Sequence, residues 1–251
     1  MTIRVGAVIT DTLRLLSPSL KDSCVNSPAA DFDRFARTYR QEISDALGIF
    51  GTSADYFAEY KIELVRTKLR REPQSILDFG CGVGESIPFF AKRFGRSEVS
   101  GFDVSVESLN ELRLRFPKVK VYSELTTIDR HFDLVFVSNV LHHIDPSDRY
   151  ERLQDLWNLV SPGGSLFIFE HNPFNPLTQR IVSNCALDEG VILLSSRELR
   201  SLLRISFGPQ QTQRGYCLFV PPALRRISFL EKYLEWLPLG GQHYASVTKS
   251  N

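Results

Sequence analysis

The chain has 251 residues, with 30 Lys+Arg against 29 Asp+Glu and 43% apolar residues. That length buries a full core and suits one α/β domain with additions, or at most two small domains. A net charge of +1 provides no global attraction to nucleic acid or an anionic membrane. The basic clusters Arg66-Lys68-Arg70-Arg71 and Lys92-Arg93-Arg96 read as solvated helix faces. No apolar run nears the ~20 residues that a bilayer span requires, and Val5 to Ile9 is too brief for a secretion signal. Cys24, Cys81, Cys185 and Cys217 form no C-x-x-C pair and no metal-ligand spacing. The expectation is a cytoplasmic protein with reduced thiols and no metal.

Residues 1–30 are mixed, with Ser/Pro/Asn breaks, and predict loose structure or a short leading helix. From Asp31, a plausible N-cap, the spacing of Phe32, Phe35 and Tyr39 predicts a helix. A second helix is expected from Ser53 to Arg71, with Tyr56, Tyr60, Leu64 and Val65 on a broad apolar face and Pro73 closing it. Both precede the first strand, so they are placed as a lid over the open end of a sheet.

Ser75 to Ser86 is the first strong signal. Ile76 and Leu77 lead to Asp78, then Gly80, Gly82 and Gly84 alternate, and Ile87 to Phe94 reads as a helix. A buried strand turning sharply into a helix has this pattern, and its glycines let a ligand lie against the backbone. A dinucleotide fold wants a glycine where Glu85 stands. Glu98 to Ser105 reads as the next strand, delivering Asp103 where a βαβ unit presents a carboxylate to a ribose. A helix over 106–116 and a short strand over 118–122 follow.

Phe132 to Ser138 suits a strand buried on both faces, ending in Ser138-Asn139 before His142-His143. A helix over 150–159 leads to Ser161-Pro162-Gly163-Gly164 and a fifth strand over 165–169. Glu170-His171-Asn172 then falls at the ligand-binding edge. A histidine beside acid and amide groups takes a proton near neutral pH; the alternative is that Glu170 and Asn172 only fix the loop. Residues 174–195 read as an active-site cover. A helix over 196–205 and strands over 210–220 and 242–249 complete the pattern. Between those strands, Leu224, Ile227, Leu230, Leu234 and Leu237 recur at helical spacing beside Arg225, Arg226 and Lys232. Such a helix suits a membrane or lipid-like surface through 222–237, but burial against the lid is the preferred reading.

These stretches, in this order, resemble the class I S-adenosylmethionine-dependent methyltransferases of the small-molecule type. Asp78 to Gly84 resembles motif I. "F-D-x-V" from Phe132 followed by "L-H-H-I" from Leu141 resembles motif II and post-II, and Pro162-Gly163-Gly164 resembles motif III. "F-D-x-x-A-x-x-Y" ending at Tyr39 resembles the family's helix before motif I.

The resemblance implies a Rossmann-like α/β fold: a seven-stranded, mostly parallel sheet with an antiparallel last strand, helices on both faces and an N-terminal helical lid. It implies a cap over 1–71 and a methyltransferase domain over 72–251, with covers near 174–195 and 221–239. The cofactor would be S-adenosyl-L-methionine, leaving as S-adenosyl-L-homocysteine. Tyr39, Asp78, Gly80, Cys81, Gly82, Asp103, Val104, Glu124, Leu125 and Asn139 would contact it. His171, His142 and Glu170 are the catalytic candidates.

The expected reaction is methyl transfer to a small-molecule acceptor, O-methylation ahead of N- or C-methylation; a sugar, lipid-linked group or secondary metabolite would suit. Nucleic acid is not an expected partner, since Ser138-Asn139-Val140-Leu141 replaces the [DN]-P-P-[YF] of amino-methylating DNA enzymes. The competing readings are a non-catalytic partner protein of the same fold and, disfavoured by Glu85, a nicotinamide-dependent oxidoreductase.

Overall fold

The computed structural model describes residues 28–47, 54–208 and 210–250. Cys24 and nearly all of the expected loose leader lie outside them. The first expected helix is two: α1 (Pro28–Phe35) and α2 (Tyr39–Leu47), with α3 (Ala54–Lys68) after them. A turn over 36–38 separates the first two, and within α1 Asp33 Oδ1 accepts from Ser105 Oγ at 2.6 Å and from the Glu107 N–H at 3.2 Å. The acid of α1 thereby ties the lid to the start of α5 (Val106–Arg115).

The sheet has seven strands in the order β3-β2-β1-β4-β5-β7-β6. They are β1 (Ser75–Phe79), β2 (Glu98–Phe102), β3 (Lys120–Tyr122), β4 (Phe132–Ser138), β5 (Val160–His171), β6 (Gln211–Cys217) and β7 (Gln242–Thr248). The β1–β2, β1–β4, β2–β3 and β4–β5 pairs are parallel, whereas β7 runs antiparallel to both β5 and β6. The remaining helices are α4 (Ile87–Arg93), α6 (Arg149–Asn158), α7 (Pro176–Asn184) and α8 (Ser196–Phe207).

Alternation along the central strands divides the core. Leu77, Val135, Val137, Leu166 and Ile168 face one way, against Leu153 and Leu156 of α6 and Leu199 and Leu203 of α8. Ile76, Leu134, Phe136, Phe167 and Phe169 face the other, against Ile62 and Val65 of α3 and Phe90 of α4. Every residue of β1 is buried, as a parallel strand covered on both faces requires. Each large apolar side chain so buried contributes roughly 1.5–3 kcal/mol.

The fifth strand is longer than the sequence predicts. Pro-Gly-Gly does not precede it but forms an irregularity within it, where pairing jumps from Phe132–Val160 to Leu134–Ser165. A Cβ at Gly164 would stand 2.9 Å from the Ser161 carbonyl oxygen and 3.0 Å from those of Phe132 and Asp133. Only glycine fits between these backbones.

The segment before β7 departs furthest from expectation. Residues Pro222–Tyr233 form 3-10 turns rather than an α-helix, with Leu224 off helical geometry. Its apolar residues are not buried against the lid, and Leu224, Ile227, Phe229, Leu230 and Trp236 are exposed. The segment docks through its acids instead. Buried Glu231 accepts from the Leu218 and Val220 N–H groups, and Glu235 takes both Lys68 Nζ and the Tyr244 hydroxyl at 2.8 Å. Among the described residues no helix is long and apolar enough to cross a membrane.

Candidate cofactor and acceptor site

A parallel sheet opens its ligand crevice at the carboxyl ends of its strands, and here β1, β2, β4 and β5 converge on one cavity of about 1300 Å³. The turn after β1 forms one wall. Gly80, at φ 76°, is pinned because its N–H and that of Cys81 both donate to the Phe102 carbonyl, at 2.7 and 3.0 Å. A Cβ on Gly80 would collide with Val140 Cγ2. The ring of Tyr39, first residue of α2, lies 3.7 Å from where a Cβ on Gly82 would be. The thiol of Cys81 packs against Gly101 in a small apolar cluster, and burial pushes its pKa well up.

Asp103 lines the cavity and also holds the turn. Its Oδ2 accepts the Gly82 N–H at 2.7 Å and its Oδ1 the Ser105 N–H at 2.9 Å. Burial raises its pKa, and those N–H groups oppose the shift. Asp78 is buried with an Oδ2 that has no hydrogen-bond partner. Burial, and then the charge of Asp103, raise its carboxyl to about 7. An orphaned buried carboxylate oxygen facing a cavity is what a cationic ligand group needs. Val104, Glu124, Leu125 and Asn139 border the same cavity.

Three lining residues were not among the expected site residues. Lys61, buried on α3, donates from Nζ to Ser138 Oγ at 2.6 Å, and burial lowers its pKa to about 8. Gln242 donates to Asn139 Oδ1 at 3.0 Å and fixes a residue whose φ is 58°. Glu85, which breaks the dinucleotide pattern, receives Arg40 of α2 at 2.7 and 3.0 Å and Arg115 of α5 at 2.9 Å. A glycine there would lose that link between lid and sheet.

The catalytic candidates separate. His171 lines the cavity, 5.2 Å between ring centroids from His142. Burial, and then positive His142, push His171 down to about 3, so its imidazole is neutral. His142 also lines the cavity and its Nδ1 lies 2.6 Å from Glu170 Oε2. Burial works against its charge, but Glu170 and Asp188 outweigh it and raise its pKa to about 9. Glu170 itself does not border the cavity: it is fully buried and accepts from the Val140 and Leu141 N–H groups at 3.2 and 2.8 Å. Its contacts are with His142 and that turn. Asn172 fixes a loop, donating to the Gly240 carbonyl at 2.8 Å. The cover contributes α7 and a 3-10 turn (Ala186–Asp188) that brings Asp188 to the histidines. Phe35, Ile43, Phe57, Leu177, Ile181 and Phe219 make the rest of the cavity largely apolar.

Residues 76–164 match the family model described as a methyltransferase domain. The trans-aconitate 2-methyltransferase of Methylobacterium radiotolerans is 33% identical over 99 residues, 38% of this chain and 37% of that protein. The corresponding protein of Rhodopseudomonas palustris is 25% identical over 152 residues, 54% of this chain and 58% of its own length. The chain thus spans less than two thirds of these curated relatives. Among solved structures, the plantazolicin methyltransferase BpumL in complex with SAH superposes with a TM-score of 0.59 at 16% identity, covering 89% of this chain and 95% of that one. A SAM-dependent methyltransferase from Thermotoga maritima gives 0.62 at 18% identity, over 89% and 100% of the two chains. At such identity these structures speak for the fold. The family match, the order of the motifs and the sheet topology agree: the chain carries a class I S-adenosylmethionine-dependent methyltransferase domain.

Proposed function

We propose that this chain transfers the methyl group of S-adenosylmethionine to a small-molecule acceptor, and that the acceptor atom is oxygen. One observation carries the reading: the Asp78–Gly82–Asp103 wall and His171 border a single cavity of about 1300 Å³. Pockets for one small ligand typically measure ~300–1000 Å³, so this one has room for a nucleoside cofactor and a second molecule beside it.

The residues present fit the cofactor. Asp103 supplies carboxylate oxygens to ribose hydroxyls. Asp78 and Lys61 offer opposite charges to the ammonium and carboxylate of its methionine part. Tyr39, Leu125 and Glu124 close around it. When bound, the cofactor supplies an electrophilic methyl group on a sulfonium. The protein's task is alignment and exclusion of water, for which α1, α2 and α3 act as a cap on the domain at 72–251, with 174–195 and 221–239 as covers. An attacking hydroxyl becomes strongly acidic as its new bond forms, so a weak base suffices; neutral His171 fills that role, with His142 and Glu170 fixing the wall behind it.

Calorimetric titration with S-adenosylmethionine, S-adenosylhomocysteine and NAD tests the cofactor. Binding of the two sulfur nucleosides is expected, and binding of NAD alone, or of none, overturns the reading. Methyl transfer from labelled cofactor to a panel of alcohols, amines and carboxylic acids, trans-aconitate included, tests the acceptor atom. Transfer confined to amines would refute oxygen.

A further inference from the structure

We propose that His142, His143 and Asp188 form a binding site for one divalent first-row transition metal ion of the zinc class, set in the cavity wall. One donor atom from each of the three lies within 4.8 Å of the others. His142 Nε2 and His143 Nε2 each stand 3.4 Å from Asp188 Oδ1. A tetrahedral ion with bonds of about 2.1 Å has donor–donor edges of about 3.4 Å. The two recorded edges thus already match a shared ion.

A second observation is independent of that spacing. His142 is 1% exposed, and its Nε2 has no hydrogen-bond partner although Asp188 is near. The other ring nitrogen is held by Glu170 Oε2 at 2.6 Å. Glu170 is fixed in turn by two backbone N–H groups. A carboxylate on the far nitrogen of a histidine is the arrangement that orients a metal ligand and raises its basicity. Two imidazoles and one carboxylate suit zinc, iron or cobalt over magnesium or calcium. His143 is further set by an edge-on contact with Phe32 of α1 at 5.1 Å.

All three residues line the cavity, so positions left open on the ion face bound molecules. An oxygen of the acceptor, hydroxyl or carboxylate, is the ligand class such a position takes, and coordination would lower the pKa of a hydroxyl. That use rests on the methyl-transfer reading; the metal site itself does not.

The test titrates the untagged, chelator-treated full chain with Co²⁺ and follows its visible absorption, with Zn²⁺ as competitor. One Co²⁺ per chain, displaced by Zn²⁺, is expected. Asp188→Asn and His143→Ala should each weaken binding at least tenfold while retaining the wild-type circular dichroism, and His131→Ala, at an exposed histidine, should not. Absence of stoichiometric binding would mean that the cluster is an ion pair only and would end the proposal. Equal binding by the folded Asp188 and His143 variants would place the ion elsewhere, and a thiolate charge-transfer band would overturn the donor set. S-adenosylhomocysteine binding is measured separately on metal-free protein, so that either reading can fail without the other.

Discussion

Lys61 Nζ donates to Ser138 Oγ at 2.6 Å, so a charged side chain of the lid helix α3 ends at the carboxyl edge of the central strand β4. Burial has brought this amine from 10.5 to about 8. It remains mostly protonated at neutral pH, at a desolvation cost on the order of 3 kcal/mol. Lys61→Met should therefore raise the melting temperature of the free protein by several degrees and weaken S-adenosylhomocysteine binding at least tenfold. Calorimetry reads both. Unchanged affinity would remove Lys61 from the cofactor site.

Asp78 gives the pH dependence. Its carboxyl titrates near 7 in the folded chain rather than near 3.8. The folded state therefore holds more protons than the unfolded state between those values, and this residue's contribution to stability falls as pH rises through that window. Roughly three units correspond to on the order of 4 kcal/mol. A cationic ligand group selects the ionised form, so cofactor affinity should drop about tenfold per unit below pH 7, and it should fall again above pH 8 as Lys61 loses its proton. Asp78→Asn should flatten the stability profile and the acid limb of binding, with a melting temperature above wild type at pH 8. An acid limb of binding that persists in Asp78→Asn would assign it to another group.

Asp103 has two tasks, and two substitutions separate them. Asp103→Ala removes the acceptor for both the Gly82 and Ser105 N–H groups. A loss of roughly 1–3 kcal/mol of stability is expected, with cofactor affinity reduced at least tenfold. Asp103→Asn keeps one carbonyl oxygen for the turn and should recover most of the stability but little of the affinity. Recovery of both together would make Asp103 a structural residue only.

The strands and acids of the site were legible because their signals are local. Continuous apolar runs at Ile76-Leu77 and Leu134 to Val137 mark strands covered on both faces, and Asp78 and Asp103 stand at the carboxyl ends of β1 and β2. Lys61 was not legible, since a lysine among Glu59, Glu63 and Arg66 on one helix looks like a solvated face. Only the tertiary approach of α3 to Ser138 buries it. Asp188 lies far along the chain from His142, and no periodicity links them. For 221–239 the leucine spacing misled because Glu231 and Glu235 found buried partners while the leucines did not. Polar docking left no trace in an apolar pattern.

The contact between Gly80 and Val140 offers a last prediction that joins the two central strand ends. Gly80 sits at φ 76°, and a Cβ there would meet Val140 Cγ2, on the turn that Glu170 holds after β4. Gly80→Ala therefore carries two costs, roughly 1 kcal/mol for the left-handed backbone and a further ~1–3 kcal/mol for overpacking. Because Val140 neighbours Leu141 and His142, the clash should also displace the His142 ring and lower methyl transfer. Val140→Ala alone removes a partly buried side chain and should cost less than Gly80→Ala. The double variant should regain the overpacking share but not the backbone share, giving a coupling of at least 1 kcal/mol in a denaturation cycle. Strictly additive costs would show that the two strand ends are not in mechanical contact, and that the glycine serves the turn by itself.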